Sequence, residues 1–206
     1  MRHGHRHMMP PSLLTFTVRP ARPSSRGSLK AHPDMSSPVT IDHIVNHLHA
    51  LGITDYRRVE HPPTRTSAES AAVRGEPMEI GAKALLLKAD NTSFMLFVMS
   101  AARQLNSRAI KDHFNIKRFR FATREELHEM TGLVPGCVPP FGPPIMPFPL
   151  HVDTSILTLD RVAFNAATLT ESIIMPREAY LRAAAPADDA IFNFTRPLDA
   201  PETETP

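Results

Sequence analysis

Two runs, Ala82-Lys83-Ala84-Leu85-Leu86-Leu87-Lys88 and Phe94-Met95-Leu96-Phe97-Val98-Met99, stand either side of Asp90-Asn91 and decide the fold. Each is too short for a buried helix and rich in residues that pack on a pleated surface, and a turn-forming pair divides them. The reading is a buried β-hairpin.

Working outward from it, the spacing predicts helices and strands in irregular alternation. Upstream, Ile41, Ile44, Val45 and Leu48 recur at helical spacing after the N-cap candidate Thr40, and Gly52 is placed to stop that helix. A short strand over Tyr56 to Glu60 leads through His61-Pro62-Pro63 to a second helix. The box Thr66-x-x-Glu69 opens it and Gly75 closes it. Downstream come a helix near Asn106 to Phe114, a strand over Arg118 to Ala122, and a helix opened by Thr123-x-x-Glu126 and closed at Gly132. From Pro135 to Pro149, seven prolines and two glycines forbid regular structure. Strands follow at Leu150 to Val152, Arg161 to Asn165 and Ser172 to Met175, then a helix with Pro176 in its first position. Hairpins mixed with helices predict an α/β (α+β) single domain, a mixed, mostly antiparallel sheet with surrounding helices.

The ends differ from the middle. Residues 1–38 hold six Arg or Lys, six prolines and no acid before Asp34, so a disordered basic extension is expected there. Met35 as the true start, an organelle transit peptide and a flexible arm all fit, the first best, because prolines 10, 11, 20 and 23 interrupt any amphipathic helix. The domain is expected over 39–194, with a disordered tail at 195–206.

With 206 residues and 42% hydrophobic content, the chain can bury one sizeable core. The longest apolar run, Phe94 to Met99, falls far short of the roughly 20 residues a membrane helix needs, so no membrane partner is expected. A lone Cys137 excludes an internal disulfide framework and a multi-cysteine zinc site. The cytoplasm is the expected location, or an organelle if residues 1–34 form a transit peptide. A net charge of +2 does not diagnose nucleic-acid binding, but its distribution is uneven. Arg103, Arg108, Lys111, Lys117, Arg118, Arg120 and Arg124 face one acid, Asp112. That segment is either a phosphate-facing surface or an ordinary solvated face.

Two features point to chemistry. Lys83 shares a strand face with Leu85 and Leu87, so its ammonium must be paired, snorkel to water, or line a pocket where an anion or carbonyl meets it. The stretch Thr131-Gly132-Leu133-Val134-Pro135-Gly136-Cys137-Val138-Pro139-Pro140-Phe141-Gly142 combines glycines that admit close approach with prolines that stiffen. It is either a ligand-holding loop or a plain connection. No Gly-x-Ser-x-Gly elbow, His-Glu-x-x-His motif or phosphate-binding glycine loop is present, and Cys137 lacks an evident histidine partner.

Gly81-Ala82-Lys83-Ala84-Leu85-Leu86, the Thr131 to Gly142 stretch, Val152-Asp153-Thr154-Ser155-Ile156 and Val162-Ala163-Phe164-Asn165-Ala166 occur in the order and spacing of one family. Together they resemble the YbaK/ProX-like family, free-standing relatives of the editing domain of bacterial prolyl-tRNA synthetase. The resemblance spans roughly His61 to Leu181. It implies a trans-acting aminoacyl-tRNA deacylase that hydrolyses the ester joining a small noncognate amino acid to tRNA. No cofactor, metal or protein nucleophile is implied, and the substrate's own ribose hydroxyl would assist a positioned water.

On this resemblance Lys83 binds the phosphate or ester region, Gly136 positions the reacting group through its backbone, and Asn165 presents a small polar group to the pocket. His61, Phe141, Gly142 and Asp153 fall at substrate-binding positions, Asp153 organising the pocket and not acting as base. Mischarged tRNA is the implied partner, with Arg103, Arg108, Lys111, Lys117 and Arg118 as its backbone contacts, and a synthetase is a possible second partner. Two departures stand out: Ala167 where relatives carry glycine, and Pro139-Pro140 where relatives often carry a hydroxyl. A noncatalytic tRNA- or synthetase-binding module is the alternative they would favour.

Overall fold

The computed structural model describes residues 38–90 and 93–198. The basic extension expected over 1–38, except its last residue, together with residues 91 and 92 and 199–206, lies outside the described residues. In chain order the elements are α1 (Ile41–Ala50), β1 (Arg57–Glu60), α2 (Ser67–Arg74), β2 (Ala82–Ala89), β3 (Ser93–Ser100), β4 (Arg103–Leu105), α3 (Ser107–Phe114), β5 (Phe119–Phe121) and α4 (Arg124–Thr131). There follow β6 (Leu150–Asp153), α5 (Thr154–Leu157), β7 (Arg161–Asn165), β8 (Glu171–Pro176), α6 (Arg177–Ala184), β9 (Ile191–Phe192) and β10 (Thr195–Pro197).

The hairpin is the spine. β2 and β3 pair antiparallel along their whole length, from Ala82 opposite Ser100 to Ala89 opposite Ser93. The five-stranded sheet they anchor runs β5-β2-β3-β6-β9. A three-stranded sheet has the order β1-β8-β7, and β10 pairs with β4. Every pairing is antiparallel except β3 with β6 and β6 with β9, so the architecture is the mixed, mostly antiparallel one. Gly81 bridges to Ala163, bringing the start of β2 against β7.

Alternation along the hairpin explains why both its runs are apolar without a break. Leu86, Leu96 and Val98 point into a core shared with Ile44, Leu48, Phe164, Ile173 and Tyr180. Their neighbours Leu87, Phe97 and Met99 point the other way, onto Ile110 of α3 and Phe194. A strand covered on both faces has no polar side to show. Among the described residues, no helix is long and apolar enough to cross a membrane.

Both sequence-predicted capping boxes close. Thr66 Oγ1 accepts from the Glu69 amide while Glu69 returns its carboxylate to the Thr66 amide, and Thr123 and Glu126 do the same. Glu126 also receives Arg120 and Lys88, and these donors hold its carboxyl well below the usual range. Pro176 falls one residue early, as the last residue of β8, with α6 beginning at Arg177. The tail expected from residue 195 is corrected too. Thr195–Pro197 pairs with Leu105–Arg103, and the Thr195 hydroxyl donates to Asp153.

One half-buried group, whose ring nitrogens are themselves buried, predicts a pH dependence. His151, on β6, lies 5.0 Å from the Phe97 ring and 4.8 Å from Phe114, centroid to centroid, and neither ring nitrogen has a hydrogen-bond partner among the described residues. Burial, with a smaller push from His113 and a weak opposing pull from Asp189, lowers its pKa to about 4. The unfolded chain therefore binds the proton first, so stability is intact above about pH 6.5 and is lost as the pH falls towards 4. His151→Phe is expected to remove that step. Unfolding curves of the two proteins should coincide near pH 7.5 and separate by on the order of 2 kcal/mol at pH 4. Curves that run parallel throughout would refute it.

Candidate active site

β5 covers β2 only from Leu87 to Ala89, and beside the preceding stretch Ala82 to Leu85 a cleft of about 180 Å³ opens. α2 and the loop carrying Gly136 and Val138 wall it, and the end of β7 closes its floor with Phe164 and Asn165. Among the described residues lining it are the cations Arg65, Arg74 and Lys83 and no carboxylate. An unopposed positive cleft favours an anionic ligand.

Lys83 stands at the second position of β2, exposed, and makes no ion pair among the described residues. Its exposure fits the snorkelling alternative, and its place among the residues lining the cleft fits the pocket-lining one. Gly136 holds φ at +97°, and a Cβ there would lie 3.2 Å from Leu169 and 3.3 Å from the Arg65 carbonyl oxygen. Its N–H has no partner among the described residues. Its carbonyl accepts from Asn165 Nδ2 at 2.9 Å. Lys83, Gly136 and Asn165 thus line one cleft. His61 is not among the lining residues and stands two hydrogen bonds behind Asn165, its Nε2 2.7 Å from Ser172 Oγ, which lies 3.1 Å from Asn165 Oδ1.

Three expected substrate-binding residues lie elsewhere. Phe141 is 1% exposed, with its ring against Phe164 and Tyr180. Gly142 lies under Leu150, whose Cβ would be 2.9 Å from an added Cβ. These two make the loop part of the core. Tyr180 reinforces this by donating its hydroxyl to the Pro140 carbonyl at 2.8 Å. Asp153 is fully buried and serves as a framework acceptor, capping α5 through the Ser155 amide and taking the Phe194 amide and Thr195 hydroxyl. An aromatic ring or a glycine in a proline-rich loop reads alike whether it faces a cleft or fills a core.

The basic segment is also outside the cleft. Arg103 donates to Thr195 Oγ1, Arg108 lies 3.6 Å from Asp112, and Lys111, Lys117 and Arg118 belong to α3 and the approach to β5. β5 adjoins the far end of β2, ~20 Å from Lys83 at about 3.3 Å per residue. Cys137 is buried, its Sγ donating to the Val134 carbonyl, and burial pushes its thiol pKa up. That is the opposite of what a nucleophile needs. Ala167 has φ +60°, a left-handed conformation costing an alanine roughly 1 kcal/mol relative to glycine.

Sequence reasoning missed Arg74 and Ser172. Arg74 ends α2 and is 9% exposed. Its Nε donates to Ser172 Oγ at 2.8 Å and its Nη2 to Asn165 Oδ1 at 2.5 Å. Burial lowers its pKa to about 10, so it stays cationic at neutral pH. The available signal was Ser67, Ser70 and Arg74, a polar stripe on the helix face where an apolar one would normally dock.

Known proteins share this architecture. A crystal structure of a candidate trans-editing enzyme for prolyl tRNA synthetase superposes with a TM-score of 0.65 at 24% identity, covering 78% of this chain and 98% of that one. The two chains therefore share a fold. Residues 61–183 match the family model of the aminoacyl-tRNA editing domain, and the chain belongs to that family. The multifunctional Ser/Thr-tRNA deacylase ProXp-y of Escherichia coli (strain K12) is 31% identical over 148 residues, 69% of this chain and 85% of that protein. A proline–tRNA ligase of Staphylococcus haemolyticus is 25% identical over 111 residues, 53% of this chain but 19% of the ligase.

Proposed function

We propose that this chain is a trans-acting aminoacyl-tRNA deacylase that clears a small noncognate amino acid from mischarged tRNA. The observation that carries the reading is the juxtaposition of an unpaired Lys83 with the Gly136 backbone at the rim of a cationic, carboxylate-free cleft. A tRNA end brings phosphodiester charge to such a cleft, and Lys83 is a compact cation suited to hold it. The unpartnered Gly136 N–H is a donor available to an ester oxygen as negative charge develops there. Water adds to the ester carbonyl, the ribose oxygen leaves with a proton, and free amino acid and tRNA result. The small lining residues Ala71, Ala82, Ala84 and Ala163 suit a small acyl group.

Serine and threonine head the substrates to try, since they are what the E. coli relative is named for. The basic surface of Arg103, Arg108, Lys111, Lys117 and Arg118 lies at a distance a tRNA acceptor arm can span, and we assign it to the tRNA backbone. A synthetase is a second partner consistent with the ligase relatives, and the cytoplasm is where such partners meet. The test is direct. The full chain should release serine or threonine from mischarged tRNA well above the buffer rate, measured as loss of labelled amino acid. No release across alanine, cysteine, serine and threonine esters would leave only the binding-module alternative.

A further inference from the structure

Arg74 is a buried cation with no carboxylate bonded to it among the described residues, a costly arrangement unless it does something a neutral residue cannot. A guanidinium only donates, and that property propagates in two directions. Towards the cleft, Asn165 must turn its Oδ1 to Arg74, which leaves Nδ2 to donate to the Gly136 carbonyl. The opposite amide orientation would set donor against donor at Arg74 and oxygen against oxygen at Gly136. Away from the cleft, the Pro62 carbonyl only accepts, so His61 Nδ1 donates to it at 2.9 Å. The Ser172 oxygen accepts from Arg74 Nε, and its one hydroxyl proton lies between two acceptors, His61 Nε2 at 2.7 Å and Asn165 Oδ1 at 3.1 Å. Two backbone carbonyls fix the ends of this relay and Arg74 fixes its middle.

We propose that Arg74 is the positioning residue of this site: by dictating the orientation of the Asn165 amide, it clamps the Gly136 turn against the cleft. Asn165 makes the side-chain hydrogen bond to Gly136, whose positive φ the missing Cβ permits but does not enforce. An Asn165 amide free to flip would hold that carbonyl no longer. The inference rests on the deacylase reading for its kinetic consequences, but its geometry is measurable without it.

Two substitutions in the full chain separate positioning from charge. Arg74→Lys keeps the cation but cannot bridge Ser172 and Asn165 together. It should lower kcat for deacylation by ~100-fold, as misplacement of a reacting group by about 1 Å does, with KM within a few-fold. Asn165→Asp keeps an acceptor for Arg74, and pairs with it, but has nothing to donate to Gly136. It should lose kcat similarly while its Tm stays at or above that of the parent, which loss of a merely structural contact would not do. Both should speed amide hydrogen exchange in residues 134–138. Wild-type kcat in either variant, or unchanged exchange in that loop, would overturn the proposal. Should Arg74→Lys fail to fold, Asn165→Asp decides alone. Should the parent hydrolyse no ester at all, the deacylase reading falls, and the exchange measurement still judges the clamp.

Discussion

Lys83→Ala is expected to lower kcat/KM for deacylation by about 10²–10³-fold, the scale on which a single group stabilising developing charge acts. Lys83 is exposed and unpaired, so its removal leaves no buried charge behind and should shift stability by no more than about 0.5 kcal/mol. The same variant should bind uncharged tRNA with a salt slope smaller by about one, the signature of one lost phosphate contact. Kinetics at two salt concentrations with a parallel thermal melt would read all three. Full activity in a folded variant would remove Lys83 from the site, and an unchanged slope would assign it to the ester and not to a phosphate.

Phe141→Ala should do the reverse. Its ring centroid lies 5.3 Å from that of Phe164 and 5.5 Å from that of Tyr180, inside the main core. Truncation there leaves a cavity and costs about 3–5 kcal/mol, a large part of the roughly 5–15 kcal/mol that holds a domain together. Denaturant unfolding should show that loss, while the fraction that stays folded at low temperature deacylates with an unchanged KM. A raised KM at undiminished stability would return Phe141 to the cleft.

The contrast between these two residues shows what was legible in the chain. Lys83 was conspicuous because a charge on an apolar strand face breaks a period-two pattern, and such breaks need a physical reason. Phe141 sat in a loop with no period at all, where nothing local distinguishes inside from outside. The β2–β3 hairpin and the two capping boxes were readable because near neighbours in sequence determine them. β4, β9 and β10 were not, since two or three residues carry no periodicity and their pairing depends on strands far away in the chain. Arg74 was hidden for a different reason. A basic residue in the last turn of a helix already has an explanation in the helix dipole, and only its burial beside Asn165 shows the second role.

Asp153 has a consequence for how the protein is made. Its partners, the Phe194 amide and Thr195 hydroxyl, are 41 and 42 residues further along. At about 5–20 residues per second, a nascent chain spends roughly 2–8 s with that carboxylate synthesised and its partners still to come. Through that interval Phe97 also lacks Phe194 beside it, and one face of the central hairpin is covered only in part, by α3 and its neighbours. Completion of the fold therefore waits on translation of the last strand, so a ribosome stalled before Thr195 would display an aggregation-prone intermediate, the species chaperones bind.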